Sequence, residues 1–486
     1  MRQDTGADGC ATDLPLVVDL DGSLLRGDLL HETATRHLLA APLTAGPDLL
    51  RWTVAGPARL KTELAVRTDL DVTALPYHRE VLAWVRAEQA RGREVVLASA
   101  SHESLVAAVG EHVGVPNTLG TTAERNLRSE HKAAALVERY GEGGFEYVGN
   151  HRHDVAVWEH AAVAHVVGGS SRVASAAAAA APVGRTFDGS PPALRSWWRS
   201  LRPHQWLKNG LVLLPLFTAQ LLGDADAVRA AVLAFVVFCL VASSVYVLND
   251  LADLDHDRHH PTKRRRPLPS GATSLLVGWV TWPVLALAGF GLSVALLPWM
   301  FTAVLAAYVA LTLAYTFRLK SARIVDVVAL AGLYTIRVLA GAAALDVYVS
   351  MWLLTFSLFF FLSLALLKRV SELTRARRTQ RVTRGRGYVD ADLELLSSYG
   401  VSSSIAAAVI FSLYVDDDRT QVLYQTPELL WGALPVLLTW VMRAWVIAHR
   451  GEMDEDPILF AARDAWSLVA GAAVVVVFVA AKVVVL

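Results

Sequence analysis

Residues 247–257 read VLNDLADLDHD and end the second of several long apolar runs in this chain. The carboxylates of Asp250, Asp253 and Asp257 recur at i, i+3 and i+7, which places them on one face of a helix. An ionised Asp at membrane depth costs about 2.5–3.5 kcal/mol, so this face needs a cation against it. Hard oxygen ligands suit Mg2+, which bridges carboxylates to substrate phosphates. The stretch therefore predicts a membrane helix that ends at a Mg2+ and diphosphate site.

The apolar runs around this stretch are long enough to cross a bilayer. Hydrophobic residues make up 54% of the 486-residue chain, which is more than ordinary soluble domains contain. About nine apolar stretches follow residue 200, and each can span a hydrocarbon core of about 30 Å. We place them at 205–222, 228–248, 274–293, 295–317, 324–345, 350–368, 395–415, 428–447 and 466–486.

Lys and Arg are concentrated in alternate loops of this region. They fall within 258–266, 318–323 and 369–386, whereas the intervening loops are short and nearly free of them. Because positively charged loops remain in the cytoplasm, we expect a multi-pass protein of the cell membrane with a cytoplasmic N-terminal domain. The 45 Lys and Arg balance the 45 Asp and Glu, so nothing favours nucleic acid as a partner.

The first 185 residues have a different pattern. Short β-branched runs at 16–18, 94–97 and 145–148 alternate with amphipathic helical segments, which predicts a doubly wound α/β sheet. About 70 residues of helical pattern separate the first two runs and suit a small helical cap over the sheet. We therefore expect a multidomain chain: an α/β domain at 1–185, a linker and juxtamembrane segment at 186–200, and an all-α polytopic membrane domain at 201–486.

Two carboxylates end the first predicted strand. Asp19 and Asp21 precede a glycine turn, at the strand end where sites in such sheets lie. The segment 16–24 resembles the first motif of the haloacid dehalogenase (HAD) phosphatases. The resemblance implies that Asp19 is the nucleophile that takes the phosphoryl group and that Asp21 is the acid and base. It also implies that Ser99 donates a hydrogen bond to the phosphate and that Lys132 supplies the cation of the site. The Mg2+ ligands that it implies are Asp19, Asp21, Asn150 and Asp154.

Asn150 departs from the HAD pattern, in which a carboxylate is usual at this position. An amide oxygen can coordinate Mg2+, but it brings no negative charge. Two alternatives therefore stay open for this domain. It is either a phosphatase of reduced activity or a non-catalytic module that senses phosphorylated metabolites or scaffolds partners.

The pattern Asn249-Asp250-x-x-Asp253-x-x-x-Asp257 resembles the first Asp-rich motif of the UbiA superfamily of intramembrane prenyltransferases. About nine helices is also the number in that superfamily. The resemblance implies that the three aspartates hold Mg2+ and act in catalysis, and that Asn249 contacts a phosphate of the donor.

The second Asp-rich motif of that superfamily is replaced here by Tyr315, Lys320 and a lone Asp326. The stretches 202–209, 260–267 and 368–372 resemble one branch of the superfamily, the decaprenyl-phosphate phosphoribosyltransferases. In that branch the diphosphate belongs to phosphoribosyl pyrophosphate, and the nucleophile is a polyprenyl monophosphate. Candidates for binding the ribose 5-phosphate and the lipid phosphate are Lys208, Lys263, Arg266, Lys320, Arg337, Lys368 and Arg369.

These patterns together predict a Mg2+-dependent membrane enzyme. Our main hypothesis is transfer of 5-phosphoribosyl from phosphoribosyl pyrophosphate to a polyprenyl phosphate, followed by removal of the 5-phosphate in the HAD-like domain, for a cell-wall arabinan precursor. The alternative is prenyl transfer from a polyprenyl diphosphate to an aromatic or other small acceptor, with a non-catalytic HAD-like domain. The oligomeric state stays open, with a homo-oligomer among the alternatives.

Overall fold

The structure, a computed structural model, describes residues 14–122, 125–168, 170–189, 191–378, 387–453 and 456–484. Residues 379–386 of the third predicted basic loop lie outside this part of the chain. The contacts divide the chain into two units, Met1–Leu201 with Val247–Thr281 and Arg202–Tyr246 with Trp282–Leu486. The predicted domain boundaries follow composition rather than contacts, and they stay a prediction.

A parallel sheet of six strands forms the centre of the first unit. Its order is β3-β2-β1-β4-β5-β6, and Val17 of β1 pairs with Val96 of β2 on one side and Tyr147 of β4 on the other. This order confirms the predicted doubly wound fold. The strands are β1 (Leu16–Asp19), β2 (Val95–His102), β3 (Asn117–Thr121), β4 (Glu146–Gly149), β5 (Val163–Val167) and β6 (Val183–Phe187).

Helices cover both faces of this sheet because its central strand is apolar on both sides. Leu16 and Val18 pack into one buried cluster, and Val17 packs into another, as expected of a parallel sheet between two helical layers. The predicted helical insertion between β1 and β2 is also present as four helices, the first of which is capped by the side chain of Asp28. The helices up to residue 200 are α1 (Leu29–Ala40), α2 (Ala45–Val54), α3 (Pro57–Arg67), α4 (Arg79–Ala90), α5 (Glu103–Val113), α6 (Glu130–Tyr140), α7 (Val155–Trp158), α8 (Ser171–Ala180) and α9 (Ala193–Ser200).

After residue 200, the described part of the chain contains helices and no strands. The helices are α10 (Trp206–Asn209), α11 (Leu214–Thr218), α12 (Ala225–Ala252), α13 (Leu254–His259), α14 (Leu275–Leu296), α15 (Trp299–Phe317), α16 (Val325–Leu345), α17 (Met351–Arg378), α18 (Leu393–Val415), α19 (Asp418–Gln421), α20 (Ala433–His449), α21 (Pro457–Arg463) and α22 (Ala465–Val483). Among the described residues, eight helical segments are long and apolar enough to cross a membrane. They correspond to the last eight predicted spans.

The first predicted span, 205–222, is not one helix. It folds as consecutive short segments, Trp206–Asn209, Gly210–Leu213, Leu214–Thr218 and Leu221–Gly223. Pro215 lies in the first turn of its segment, where its missing amide hydrogen is tolerated. Gln220 has a left-handed backbone conformation with φ of 59°, which ends the helical path. The apolar composition of this stretch predicted a membrane segment but not these interruptions.

The Asp-rich stretch also differs from the predicted single helix. Helix α12 ends at Ala252, and α13 begins at Leu254. Asp253 lies between them, and its main-chain N–H donates to the carbonyl oxygen of Asn249 over 2.9 Å. Asp250 and Asp257 therefore belong to two consecutive helices.

Candidate active sites

Asp19 lies at the end of β1 and is buried against a cation. The ammonium of Lys132, on α6, donates to one carboxylate oxygen over 2.6 Å and to the Tyr147 hydroxyl over 3.0 Å. The hydroxyl of Ser23 donates to the other carboxylate oxygen over 3.1 Å. Burial raises the pKa of Asp19 to about 7, although Lys132 opposes this shift. Burial alone would lower the pKa of Lys132, but the charges of Asp19 and Asp154 outweigh it and raise that pKa.

Asp21 is held by three donors. One carboxylate oxygen accepts the main-chain N–H of Leu29 over 2.8 Å. The other accepts the hydroxyls of Ser99 over 2.7 Å and Ser101 over 2.8 Å. Desolvation, with a contribution from Asp28, raises the pKa of Asp21, because burial disfavours the charged form of a carboxyl group. The structure thus places Ser99 against Asp21, and it adds Ser101, which the sequence did not single out.

Asp154 and Asn150 complete the soluble site. The carboxylate of Asp154 accepts the Tyr147 hydroxyl and the main-chain N–H groups of Asn150 and His151, each over 2.9 Å. Gly22 has a positive φ of 82°, and a Cβ at this position would lie only 2.1 Å from the side-chain nitrogen of Asn150. A glycine is therefore required there for Asn150 to pack into the site.

Asp19, Asp21, Lys132, Asn150 and Asp154 line one cavity of about 890 Å³. The carboxylates of Asp21 and Asp154 each contribute to the raised pKa of Asp19, so a divalent cation would relieve their repulsion. Within the described ranges, no group of three His, Cys, Asp or Glu side chains is arranged to hold a metal ion. The oxygen-rich set still fits Mg2+ by its chemistry.

Two aspartates of the Asp-rich stretch, Asp250 and Asp257, share one guanidinium. Asp250 and Asp257 are buried, and Nη1 of Arg266 lies 3.1 Å from Asp250 Oδ1 and 2.5 Å from Asp257 Oδ2. The ammonium of Lys263 lies 3.4 Å from Asp257 Oδ1. This buried oxygen accepts no hydrogen bond from any described residue. Because two carboxylates reach one cation and leave a hard oxygen without a hydrogen bond, the set fits Mg2+.

A buried ion pair joins α1, which follows Asp21, to α13, which contains Asp257. Arg258, on α13, donates to both carboxylate oxygens of Glu32, on α1, over 2.9 and 2.6 Å. Its Nε donates to the carbonyl oxygen of Pro269 over 3.1 Å. Arg36 of α1 also pairs with Asp255 of α13 over 2.5 Å. The sequence singled out neither contact, since nothing local links residues so far apart in the chain.

In the second unit, Asp326 is paired with Arg369. The guanidinium donates to Asp326 over 2.7 Å, to Glu372 over 2.6 Å and to the Tyr315 hydroxyl over 3.0 Å. The hydroxyl of Tyr388 donates to the other Asp326 oxygen over 2.5 Å. Three predicted residues are thus brought together, and Glu372 and Tyr388 are added to them. The carboxylate of Asp326 is engaged on both oxygens, as expected of a group that holds helices in place.

Two other predicted cations of this unit, Lys208 and Arg337, lie over the ring of Tyr334, 5.9 and 5.7 Å from its centroid. Arg337 is buried, and it donates to the side-chain oxygen of Asn209 over 3.0 Å and to the Tyr308 hydroxyl over 3.3 Å. Lys208 forms an ion pair with Asp456, which the sequence did not single out. Lys368 precedes Arg369 in α17, and Lys320 lies in the turn Leu319–Ser321.

Comparison with known proteins identifies the membrane half. The sequence profile of the UbiA prenyltransferase family matches residues 212–468. An uncharacterized protein of Sinorhizobium fredii is 36% identical over 473 residues, which cover 96% of this chain and 91% of that protein.

Two further similarities are narrower. The decaprenyl-phosphate phosphoribosyltransferase of Mycolicibacterium smegmatis is 40% identical over 191 residues, which are 37% of this chain and 58% of that protein. A solved UbiA homolog from Archaeoglobus fulgidus, bound to GPP and Mg2+, covers 58% of this chain and 99% of its own, with a TM-score of 0.44 and 16% identity. On the profile match, which spans more than half of its residues, this chain belongs to the UbiA prenyltransferase family.

Proposed function

We propose that the membrane half transfers a 5-phosphoribosyl group from phosphoribosyl pyrophosphate to a polyprenyl phosphate such as decaprenyl phosphate. The observation that carries this proposal is the buried pair of Asp250 and Asp257 against Arg266 and Lys263. Acidic and basic groups in one place suit a metal-bound diphosphate better than either would alone. The similarity to a mycobacterial phosphoribosyltransferase supports the sugar diphosphate as donor.

In this reaction the bond between the anomeric carbon and the diphosphate oxygen breaks, and the diphosphate leaves with the electron pair. An oxygen of the lipid phosphate forms the new bond to the anomeric carbon. Bound Mg2+, held by Asp250 and Asp257, would neutralise charge on the leaving group. Arg266 and Lys263 supply N–H donors for the diphosphate oxygens, and the planar fork of arginine can grip two oxygens at once.

We propose that the soluble domain hydrolyses the 5-phosphate of this lipid product. Asp19 attacks the phosphorus, and the ribose oxygen leaves with a proton from Asp21. Asp21 then takes a proton from the water that hydrolyses the aspartyl phosphate. The raised pKa of Asp21 supports its role as the acid. Asp19, Asp21, Asn150 and Asp154 would hold Mg2+, whose charge assists both steps.

The soluble domain is proposed to lie on the cytoplasmic side of the cell membrane. The concentration of Lys and Arg within 258–266, 318–323 and 369–386 supports this orientation, because such loops remain in the cytoplasm.

The transferase proposal is tested with membranes that contain the full chain, ribose-labelled phosphoribosyl pyrophosphate and decaprenyl phosphate. We expect Mg2+-dependent formation of a labelled, lipid-soluble product, and we expect none from D257N. Absence of this product would refute the proposal. A parallel reaction with a labelled polyprenyl diphosphate and 4-hydroxybenzoate tests the prenyl-transfer alternative, for which no contact in the described residues provides specific support.

A further inference from the structure

The cavity above Asp19 has walls from two parts of the first unit. One side belongs to the sheet and its helical insertion. The other belongs to residues 258–275 and includes Leu268, Thr273 and Leu275, the last of which begins membrane span α14. The volume of about 890 Å³ falls in the range of about 300–1,000 Å³ typical of pockets that enclose whole small ligands. The cavity therefore has room for more than the phosphate group that reacts at Asp19.

Five Lys and Arg side chains line this cavity, and four of them have acceptors in the described structure. Lys132 and Arg258 are neutralised by the carboxylates of Asp19 and Glu32. Lys61 donates to the Ala100 carbonyl oxygen and the Asn126 side-chain oxygen, and Arg128 contacts a ring nitrogen of His153, so these two have uncharged partners.

Arg26 is the fifth, and its side chain has no acceptor among the described residues. Its Nε is buried without a hydrogen-bond partner, which costs about 1–3 kcal/mol when nothing satisfies the donor. The main chain of Arg26 is fixed, because its N–H donates to the Pro76 carbonyl oxygen over 2.9 Å. Its carbonyl oxygen packs on Gly271, where an added Cβ would lie only 2.3 Å away. The Nε of Arg26 is thus buried at the cavity wall without an acceptor among the described residues.

We infer that Arg26 is a specificity residue that binds a second phosphate of the substrate whose first phosphate is cleaved at Asp19. This inference rests on the proposed phosphatase function. Arg26 is suited to the task because a guanidinium binds two phosphate oxygens at once. The second phosphate belongs either to a lipid-linked diester or to a free sugar bisphosphate. Leu268 and Leu275 in the same cavity wall favour the lipid, since they can contact the first part of a prenyl chain.

The test measures ligand binding by calorimetry to the full chain in detergent. The chain carries the substitution D19N, so that no ligand is consumed. The ligands are ribose 5-phosphate, ribose 1,5-bisphosphate, and the geranyl ester of the 1-phosphate of that bisphosphate. Adding R26Q should weaken binding of both two-phosphate ligands by about tenfold to a hundredfold, the usual effect of losing a charge-assisted hydrogen bond. Ribose 5-phosphate should lose much less affinity. R26K should restore part of the loss, and R86Q, which alters an exposed arginine on α4, is the matched control.

Equal losses for one-phosphate and two-phosphate ligands, or no loss with R26Q and R26K, would overturn the assignment. Phosphate release by the chain with Asp19 intact is measured separately. If that chain releases no phosphate but R26Q still weakens the two-phosphate ligands, the proposed phosphatase activity fails and the role of Arg26 stands. Tighter binding of the geranyl ester than of the bisphosphate would identify a lipid-linked substrate, and the reverse would identify a soluble one.

Discussion

The first unit contains two acidic sites that are neutralised in different ways. In the soluble site, Asp19 meets an ammonium from a separate helix, and Asp21 is held by a main-chain N–H and two serine hydroxyls. In the Asp-rich site, Arg266 bridges Asp250 and Asp257, and one oxygen of Asp257 is left without a hydrogen bond. Several donors from separate parts of the fold hold the carboxylates of the soluble site, whereas the two carboxylates of the Asp-rich site share the side chain of Arg266.

This difference has a chemical consequence. A nucleophile and an acid fixed by several donors need little rearrangement before they react. At the Asp-rich site Mg2+ would compete with Arg266 for the two carboxylates, and a displaced Arg266 would be available to the phosphates of the substrate. We therefore expect metal and substrate to bind together at the Asp-rich site and more independently at the soluble site.

The largest expected effect is that of D257N on transfer. Loss of a buried carboxylate from the proposed metal site should lower phosphoribosyl transfer by about a thousandfold or more, as loss of a central catalytic group does. Phosphate release from ribose 5-phosphate should persist, because Asp19 and Asp21 are intact. D255N is the matched control, since Asp255 lies in the same helix and is half exposed. An equal loss of transfer in D255N would contradict the assignment of Asp257, rather than Asp255, to the proposed metal site.

The second prediction concerns the ion pair that joins the two motifs. E32Q leaves the buried guanidinium of Arg258 without its carboxylate, which should lower the free energy of unfolding by about 3–5 kcal/mol. It should also reduce both activities, because α1 follows Asp21 and α13 carries Asp257. Denaturant unfolding and the two assays measure these effects. R139Q, which breaks an exposed pair with Glu94, should cost about 0–1 kcal/mol, and a similar cost for E32Q would refute the prediction.

The third prediction distinguishes the effect of Arg266 on Mg2+ binding from its effect on substrate binding at the Asp-rich site. R266Q removes the cation that competes with Mg2+, so half-maximal transfer should need about tenfold less Mg2+. The same change should raise KM for phosphoribosyl pyrophosphate by about tenfold, because a hydrogen-bond donor to the diphosphate is lost. R265Q is the control, since Arg265 is exposed. Changes of both constants in the same direction would show that Arg266 does not exchange between carboxylates and substrate.

The smallest expected effect is tighter Mg2+ binding at the soluble site. N150D restores a carboxylate at the position where HAD phosphatases usually have one. It should lower the Mg2+ concentration for half-maximal phosphate release by about threefold to tenfold, because added negative charge strengthens binding of a hard cation. Titration of Mg2+ during hydrolysis of p-nitrophenyl phosphate measures the change, with N126D, elsewhere on the cavity wall, as the comparison. Weaker Mg2+ binding in N150D would argue against a metal ligand at this position.

The soluble-site residues that the sequence proposed lie together in the structure because they obey a topological rule, and their roles stay a prediction. Asp19 ends β1, Ser99 lies in the second half of β2 and Asp154 follows β4, and the carboxyl ends of these neighbouring parallel strands share one edge of the sheet. Knowing the strands is therefore enough to expect these side chains to be close. The partners Ser101 and Tyr147 depend on side-chain packing, and no spacing signal indicates them.

Other features could not be read from local pattern. Glu32 and Arg258 are 226 residues apart, and only the folded chain brings them together. The lone Asp326 lies in the stretch that replaces the second Asp-rich motif, and no local pattern indicates that Arg369 and Tyr388 engage both of its oxygens. Hydropathy identified the apolar stretch 205–222, but averaging over a window conceals the interruptions at Pro215 and Gln220.

The central claim is that two sites on one chain act in sequence on the same lipid, and analysis of the D19N product tests it most directly. The full chain and D19N are each incubated with ribose-labelled phosphoribosyl pyrophosphate, decaprenyl phosphate and Mg2+, and the labelled lipids are separated by charge. We predict that the unaltered chain yields decaprenyl-phosphoryl ribose, whereas D19N accumulates the same lipid with its 5-phosphate. The same labelled lipid from both proteins, or no labelled lipid from either, would contradict the account.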